Sequence, residues 1–264
     1  MIKYLFFGTS ILLAFFYRYK PRTVLIYTTH VDDVNQHERV AKLSEAFGSN
    51  LVVIWDNKEG LKCPFHNVLC VDNITISKTV QFDPLHGCCG AEKAIMWAIS
   101  NRNTFERLWY IEEDVYYTDM SILKSIVNAR YTEDLLTQRS SAILPQTKKF
   151  EENKIKSSEI LKQWRKFDSK IVPKTNLLNM YSLNRRMLEA LNDIYIKNNY
   201  TWIFAESLLP TAVEYYNLTS GVWKHHHASI FASFRRRPCF VFFKKPGIYH
   251  PAKHRRGEFI KCRY

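Results

Sequence analysis

Arg107-Leu-Trp-Tyr-Ile-Glu-Glu-Asp-Val-Tyr-Tyr-Thr-Asp119 is the stretch on which the reading of this chain turns. It opens as an aromatic, β-branched and apolar run, the pattern of a buried strand. It ends in Glu112, Glu113 and Asp114, consecutive acids that a fully buried strand could not carry cheaply. Side chains alternate along a strand, so Glu112 and Asp114 are expected on one face and Glu113 on the other. Two same-facing carboxylates at the carboxyl end of a strand make a hard-oxygen site suited to Mn²⁺ or Mg²⁺. Open α/β sheets hold their ligands at those strand ends. The plainer alternative is a solvated strand end that happens to be acidic.

Upstream, Thr23 to Thr29 reads as a strand followed by His30, Asp32 and Asp33. A helix is expected from Asn35 to Phe47, with Val40, Leu43, Ala46 and Phe47 on one face and Gly48 as its stop. Leu51 to Asp56 and Val68 to Asp72 read as strands, and Cys88 to Ile99 as a helix. This order predicts an α/β fold, a mostly parallel sheet flanked by helices. Downstream, Met120 to Ala129 and Arg185 to Ile196 read as helices, Ser141 to Leu144 and Leu177 to Leu183 as strands, and Lys148 to Lys156 as a charged loop. Ile203 to Glu214 reads as a helix with Glu206 in its first turn, and Pro210 is expected to kink it or mark its start. With no internal repeat or linker, residues 21–264 form one domain.

Of the 264 residues, 46% are hydrophobic and 14% aromatic, which argues for a packed globular protein and against a disordered one. No GxGxxG or GxxxxGK[ST] loop is present, which argues against a Rossmann dehydrogenase or a P-loop enzyme. The net charge of +13 is uneven: from Gly221 to Tyr264, eleven Lys or Arg face the single acid Glu258. Such a basic end calls for anionic company: a diphosphate, an acidic glycan, a membrane surface or nucleic acid. His225, His226 and His227 are adjacent and so diverge on any regular backbone, which assigns them to the basic surface. The six cysteines contain no CxxC pair, so a structural zinc site is not expected, while disulfides remain open to them.

Tyr4 to Tyr17 is continuously apolar or small and flanked by Lys3, Arg18, Lys20 and Arg22. The run is short for a span of about 20 residues and could be a signal peptide or a first buried helix, but no small-residue cleavage site follows it, so residues 1–20 read as an uncleaved single-pass anchor. The flanking charge favours a cytosolic domain, while the sequons at Asn73, Asn199 and Asn217 pull toward the lumen of the endoplasmic reticulum or Golgi, which is the expectation taken here.

Together these features resemble the GT-A class of nucleotide-sugar glycosyltransferases, over about residues 23 to 254. Glu112-Glu113-Asp114 is similar to the class's acidic DxD-type motif, with Glu departing from the commonest pattern at the first two positions. The resemblance implies that Asp114 binds the divalent metal bridging a donor diphosphate, with Glu112 and Glu113 at the metal shell or the ribose. Gly247-Ile-Tyr-His250-Pro-Ala-Lys253 is similar to the class's C-terminal histidine element, which implies His250 as a third ligand and Lys253 as a diphosphate contact. Glu206 occupies the place of the acceptor-side acid, which implies a general base or an acceptor-orienting group, although the second acid of the usual pattern is absent. An acid favoured by the helix dipole is the other reading of Glu206. Thr28, His30, Asp32 and Asp56 follow the first two strands, and position alone suggests them, with Lys93, for nucleotide contacts.

The implied reaction is transfer of a hexose or pentose from a UDP- or GDP-linked donor to a hydroxyl of a glycan, glycoprotein or glycolipid. Two other classes compete. A nucleic-acid enzyme or binder would use the acids and the basic end, but no binding module supports it, and no nucleic-acid partner is expected. A glycan-binding relative would keep the fold without the activity.

Overall fold

The computed structural model describes residues 22–56, 61–72, 76, 90–117, 119–138, 142–143, 162, 164–176, 178–198, 203–223, 230–232 and 248–250. The strand β1 (Thr23–Thr29) leads into helix α1 (Val34–Phe47), which Asp33 caps by accepting from the Gln36 amide. Gly48 ends that helix at φ +54°, a left-handed value that glycine takes without a Cβ penalty. Then come β2 (Leu51–Trp55), β3 (Leu69–Asp72), α2 (Gly90–Ser100) and β4 (Arg107–Glu112). β5 (Tyr116–Tyr117), α3 (Met120–Asn128), β6 (Leu135–Thr137), β7 (Ala142–Ile143) and β8 (Lys174–Thr175) follow. The chain continues through β9 (Met180–Asn184), α4 (Arg185–Lys197), α5 (Ala205–Tyr215), β10 (Ser220–Val222), β11 (Ile230–Ala232) and β12 (Ile248–His250).

The main sheet has the strand order β10-β6-β9-β4-β1-β2-β3. β9 runs antiparallel to both neighbours and the other pairings are parallel, the mixed, mostly parallel sheet expected. β1 and β4 lie at its centre and are buried on both faces, which is why both read as near-continuous apolar runs. The alternation is visible in what each residue meets. Val24, Ile26, Leu108 and Tyr110 pack toward Ile95 of α2, Leu188 and Leu191 of α4 and Leu208 of α5. Leu25, Tyr27, Trp109 and Ile111 pack on the other face, with Val40 and Leu43 of α1 and Leu123 and Ile126 of α3.

Pro210 lies inside α5 without ending it. A proline supplies no amide to the carbonyl four residues back, which here is Glu206. That carbonyl instead accepts the Asn176 amide at 2.9 Å, and the helix runs from Ala205 through the proline, so Pro210 does not mark its start. The amino end of α5 is capped from outside: Phe204 gives no side-chain cap, and the buried Glu92 carboxylate of α2 accepts the Ala205 amide at 2.7 Å.

At the opposite end of the sheet from the acids, Asp134 is fully buried just before β6. Its carboxylate accepts from the Thr219 amide (2.8 Å), the Thr219 hydroxyl (2.9 Å) and Asn184 Nδ2 (2.7 Å), pinning β6, β9 and β10 together. Asp134→Ala strands these donors and is expected to cost about 2–4 kcal/mol in urea unfolding. A change under about 0.5 kcal/mol would show that solvent replaces the carboxylate.

Cys63 and Cys70 form a disulfide, with Cα atoms 6.3 Å apart, that ties the segment after β2 to β3. Cys88, Cys89, Cys239 and Cys262 lie outside the described residues, as do the histidine run and the charged loop. The expectation of a single-pass membrane chain is corrected: among the described residues no helix is long and apolar enough to cross a membrane. The longest, α1, has 14 residues, about 21 Å against a hydrocarbon core of about 30 Å. The Tyr4 to Tyr17 run lies outside the described residues.

Candidate functional site

The carboxyl ends of β1, β2 and β4 meet at one edge of the sheet, and the antiparallel β9 begins there. Register sets Thr28 directly across from Glu112. The strand stops at Glu112, and Glu113 and Asp114 form a turn closed by the Val115 amide donating to the Glu112 carbonyl at 3.1 Å. Strand alternation therefore does not run through the acids, and the expectation that Glu112 and Asp114 share a face by pleating is corrected. A turn, not a pleat, orients Asp114.

Each acid has its own surroundings. Glu112 is partly buried, with Tyr110 Oη 3.5 Å from Oε1 and Asn179 Nδ2 donating to Oε2 at 2.7 Å. The Thr28 hydroxyl in turn meets Tyr110 Oη at 3.1 Å, and Gln138 reaches Asn179 at 3.4 Å. Glu113 is buried and turned back to β1, accepting from the Thr29 hydroxyl (2.8 Å) and the His30 amide (3.0 Å), with His30 Nδ1 2.9 Å away. Asp114 is buried in the turn.

Burial alone would raise the Glu113 pKa, but the His30 ring, the His30 amide and the Thr29 hydroxyl together hold it below its usual range. A depressed folded-state pKa means that ionised Glu113 stabilises the fold above its unfolded value of about 4.3. That contribution is lost as pH falls through the folded value. Thermal midpoints taken from pH 5 downward are expected to fall more steeply for the natural chain than for Glu113→Gln. Equal acid slopes would remove Glu113 from the account.

The other expected residues divide between the edge and its margins. Asp56 directly follows β2, and its partner is Lys93 Nζ, which α2 carries into the core at 1% exposure. Gly90 begins that helix so close over Thr28 that a Cβ there would lie 2.8 Å from Thr28 Cβ. His30 and Asp32 are exposed, and Asp32 is bonded to His37 Nε2 at 2.8 Å. Glu206, in the first turn of α5, is joined to the edge through its carbonyl: Asn176, which donates to it, also donates from Nδ2 to Thr137 Oγ1 at 3.1 Å. The last piece comes from far along the chain. β12 pairs antiparallel with β5, Ile248 opposite Tyr117 and Tyr249 opposite Tyr116. Tyr249, the residue before His250, thus sits opposite Tyr116, two residues after Asp114, and His250 itself pairs with Ala232 of β11.

Glu112 and Asp114 offer the hard oxygens, and a histidine a nitrogen, that suit Mn²⁺ or Mg²⁺. Among the described residues no group of three or more His, Cys, Asp or Glu is gathered to hold a metal. The His250 side chain and all of Lys253 lie outside the described residues.

Arg39, Tyr110, Gln138, Asn176, Asn179 and Glu92 escape the sequence reading. Two of them left a trace. Arg39 shares the helix face of Gln36, Val40 and Leu43, so a polar group sits on a core-facing stripe. Tyr110 lies two residues before Glu112 and so shares its strand face.

No family model and no curated protein matches the chain. Among solved structures it is similar to mouse xyloside xylosyltransferase 1 in its apo form, at 12% identity over 90% of this chain and 99% of that one, TM-score 0.36. It is also similar to the galactosyltransferase LgtC in complex with donor and acceptor sugar analogues, at 11% identity over 88% and 90%, TM-score 0.42. Likeness at this level does not bear on function.

Proposed function

We propose that the chain is a metal-dependent glycosyltransferase of GT-A type. It moves a hexose or pentose from a UDP- or GDP-linked donor to a hydroxyl of a glycan, glycoprotein or glycolipid. The observation that supports the reading is the β5–β12 pairing, which sets Tyr249, the residue before His250, opposite Tyr116, two residues after an acidic turn at the carboxyl end of a central strand.

In this reading Asp114 and Glu112, with His250, hold Mn²⁺ or Mg²⁺. A bound divalent cation supplies charge stabilisation for a diphosphate leaving group. Asn179 and Tyr110 orient the Glu112 carboxylate, and Glu113 braces the turn against β1. Thr28, His30, Asp32 and Asp56 are the nucleotide side of the edge, Lys93 holds Asp56, and Lys253 meets the diphosphate. Glu206 faces the acceptor hydroxyl, as general base if the reaction inverts and as an orienting group if it retains.

The test is calorimetric titration of UDP and of GDP into the folded chain, with and without Mn²⁺. Binding of one nucleotide that requires the metal is expected. A folded chain that binds neither would overturn the reading.

A further inference from the structure

We infer that Arg39 is a positioning residue that fixes the acidic turn and joins it to the strand carrying His250, an inference that rests on the donor-site reading above. α1 brings its guanidinium beneath the turn, where it donates to the Glu113 carbonyl at 2.6 Å and to the Val115 carbonyl. Those carbonyls flank Asp114 on either side, so one planar group sets the backbone from which the Asp114 carboxylate projects. The same guanidinium carbon lies 5.2 Å from the ring centres of both Tyr27 and Tyr117. Tyr27 belongs to β1, and Tyr117 to β5, opposite Ile248 of β12. One side chain therefore ties the central sheet, the acidic turn and the C-terminal strand into one geometry.

Arg39 does not serve as a ligand. It holds carbonyls, and its charge faces that of Asp114. A lysine keeps the charge but lacks the rigid fork that spans two carbonyls and the flat face that stacks between two rings. The charge and the geometry are thus separable by experiment.

The experiment compares Arg39→Lys, Arg39→Met and, as a destabilised control at the far end of the sheet, Asp134→Asn, all in the full chain. Calorimetry gives Mn²⁺-dependent affinity for UDP and GDP, and hydrogen exchange follows peptides covering residues 115–117 and 248–250. Arg39→Lys is expected to lose tenfold or more in affinity and to exchange faster in both peptides, with Arg39→Met losing at least as much. Asp134→Asn is expected to bind as the natural chain does. If the natural chain binds and Arg39→Lys binds equally well, the inference is overturned. If the natural chain binds neither nucleotide, the donor-site reading fails, and exchange alone decides: faster exchange at both peptides in Arg39→Lys upholds the tie, and unchanged exchange overturns it. Should Arg39→Met not fold, Arg39→Lys carries the comparison.

Discussion

Asp114→Asn is expected to weaken Mn²⁺-dependent binding of UDP or GDP by on the order of a hundredfold or more, since loss of even an outer-shell partner costs ten- to a hundredfold. Asparagine has nearly the shape of aspartate, and the turn is held through backbone carbonyls by Arg39, so the site keeps its form. What changes is charge at a hard-oxygen donor, on which affinity for a small divalent cation depends. Stability is expected to hold or to rise slightly, because one of three neighbouring negative charges is removed. The two readouts should therefore separate, with affinity collapsing while the thermal midpoint stays. A variant that binds as well as the natural chain would take Asp114 out of the site.

The largest stability effect is expected from Asp56→Ala, about 3–5 kcal/mol in urea unfolding. Lys93 is 1% exposed and Asp56 17%, so the partners are not equivalent. Truncating Asp56 leaves a buried lysine without its carboxylate, whereas Lys93→Met leaves a carboxylate that water can reach at the sheet edge. Lys93→Met should cost clearly less, since its methylenes keep packing against the core. The double variant should recover much of the loss, because removing both partners of a buried pair is far cheaper than removing one. Additive losses would show that the two residues act independently.

What could be read from the sequence follows from the range over which its causes act. β1, β2 and β4 are continuous apolar runs, and α1 and α4 begin and end within a residue or two of where the sequence reading, with Gly48 as the stop of α1, places them. The acids were visible because three charges after a hydrophobic strand break a local pattern. Their orientation was not, because the turn at Glu113 is set by Thr29, His30 and Arg39, residues more than seventy positions away. β6, β10, β11 and β12 are three residues each, too short to show a period, and exist through pairing with distant strands. Pro210 reads as a kink or a helix start, and the sequence does not show that Asn176 takes up the freed carbonyl. The position of His250 was expected from resemblance; its backbone pairs with Ala232 of β11, and the residue before it, Tyr249, pairs with Tyr116 of β5.

That freed carbonyl has a further effect. At Glu206 the main chain is anchored by an exchange between residues 176 and 210, and no side-chain atom of position 206 enters it. Anchor and chemistry are thus decoupled at one residue. Glu206→Gln can be made without disturbing the backbone bond, so it probes only what the carboxylate does. If Glu206 is the acceptor-side acid proposed above, a lineage could alter its preference for acceptors by substitution at this position while its scaffold stayed in place.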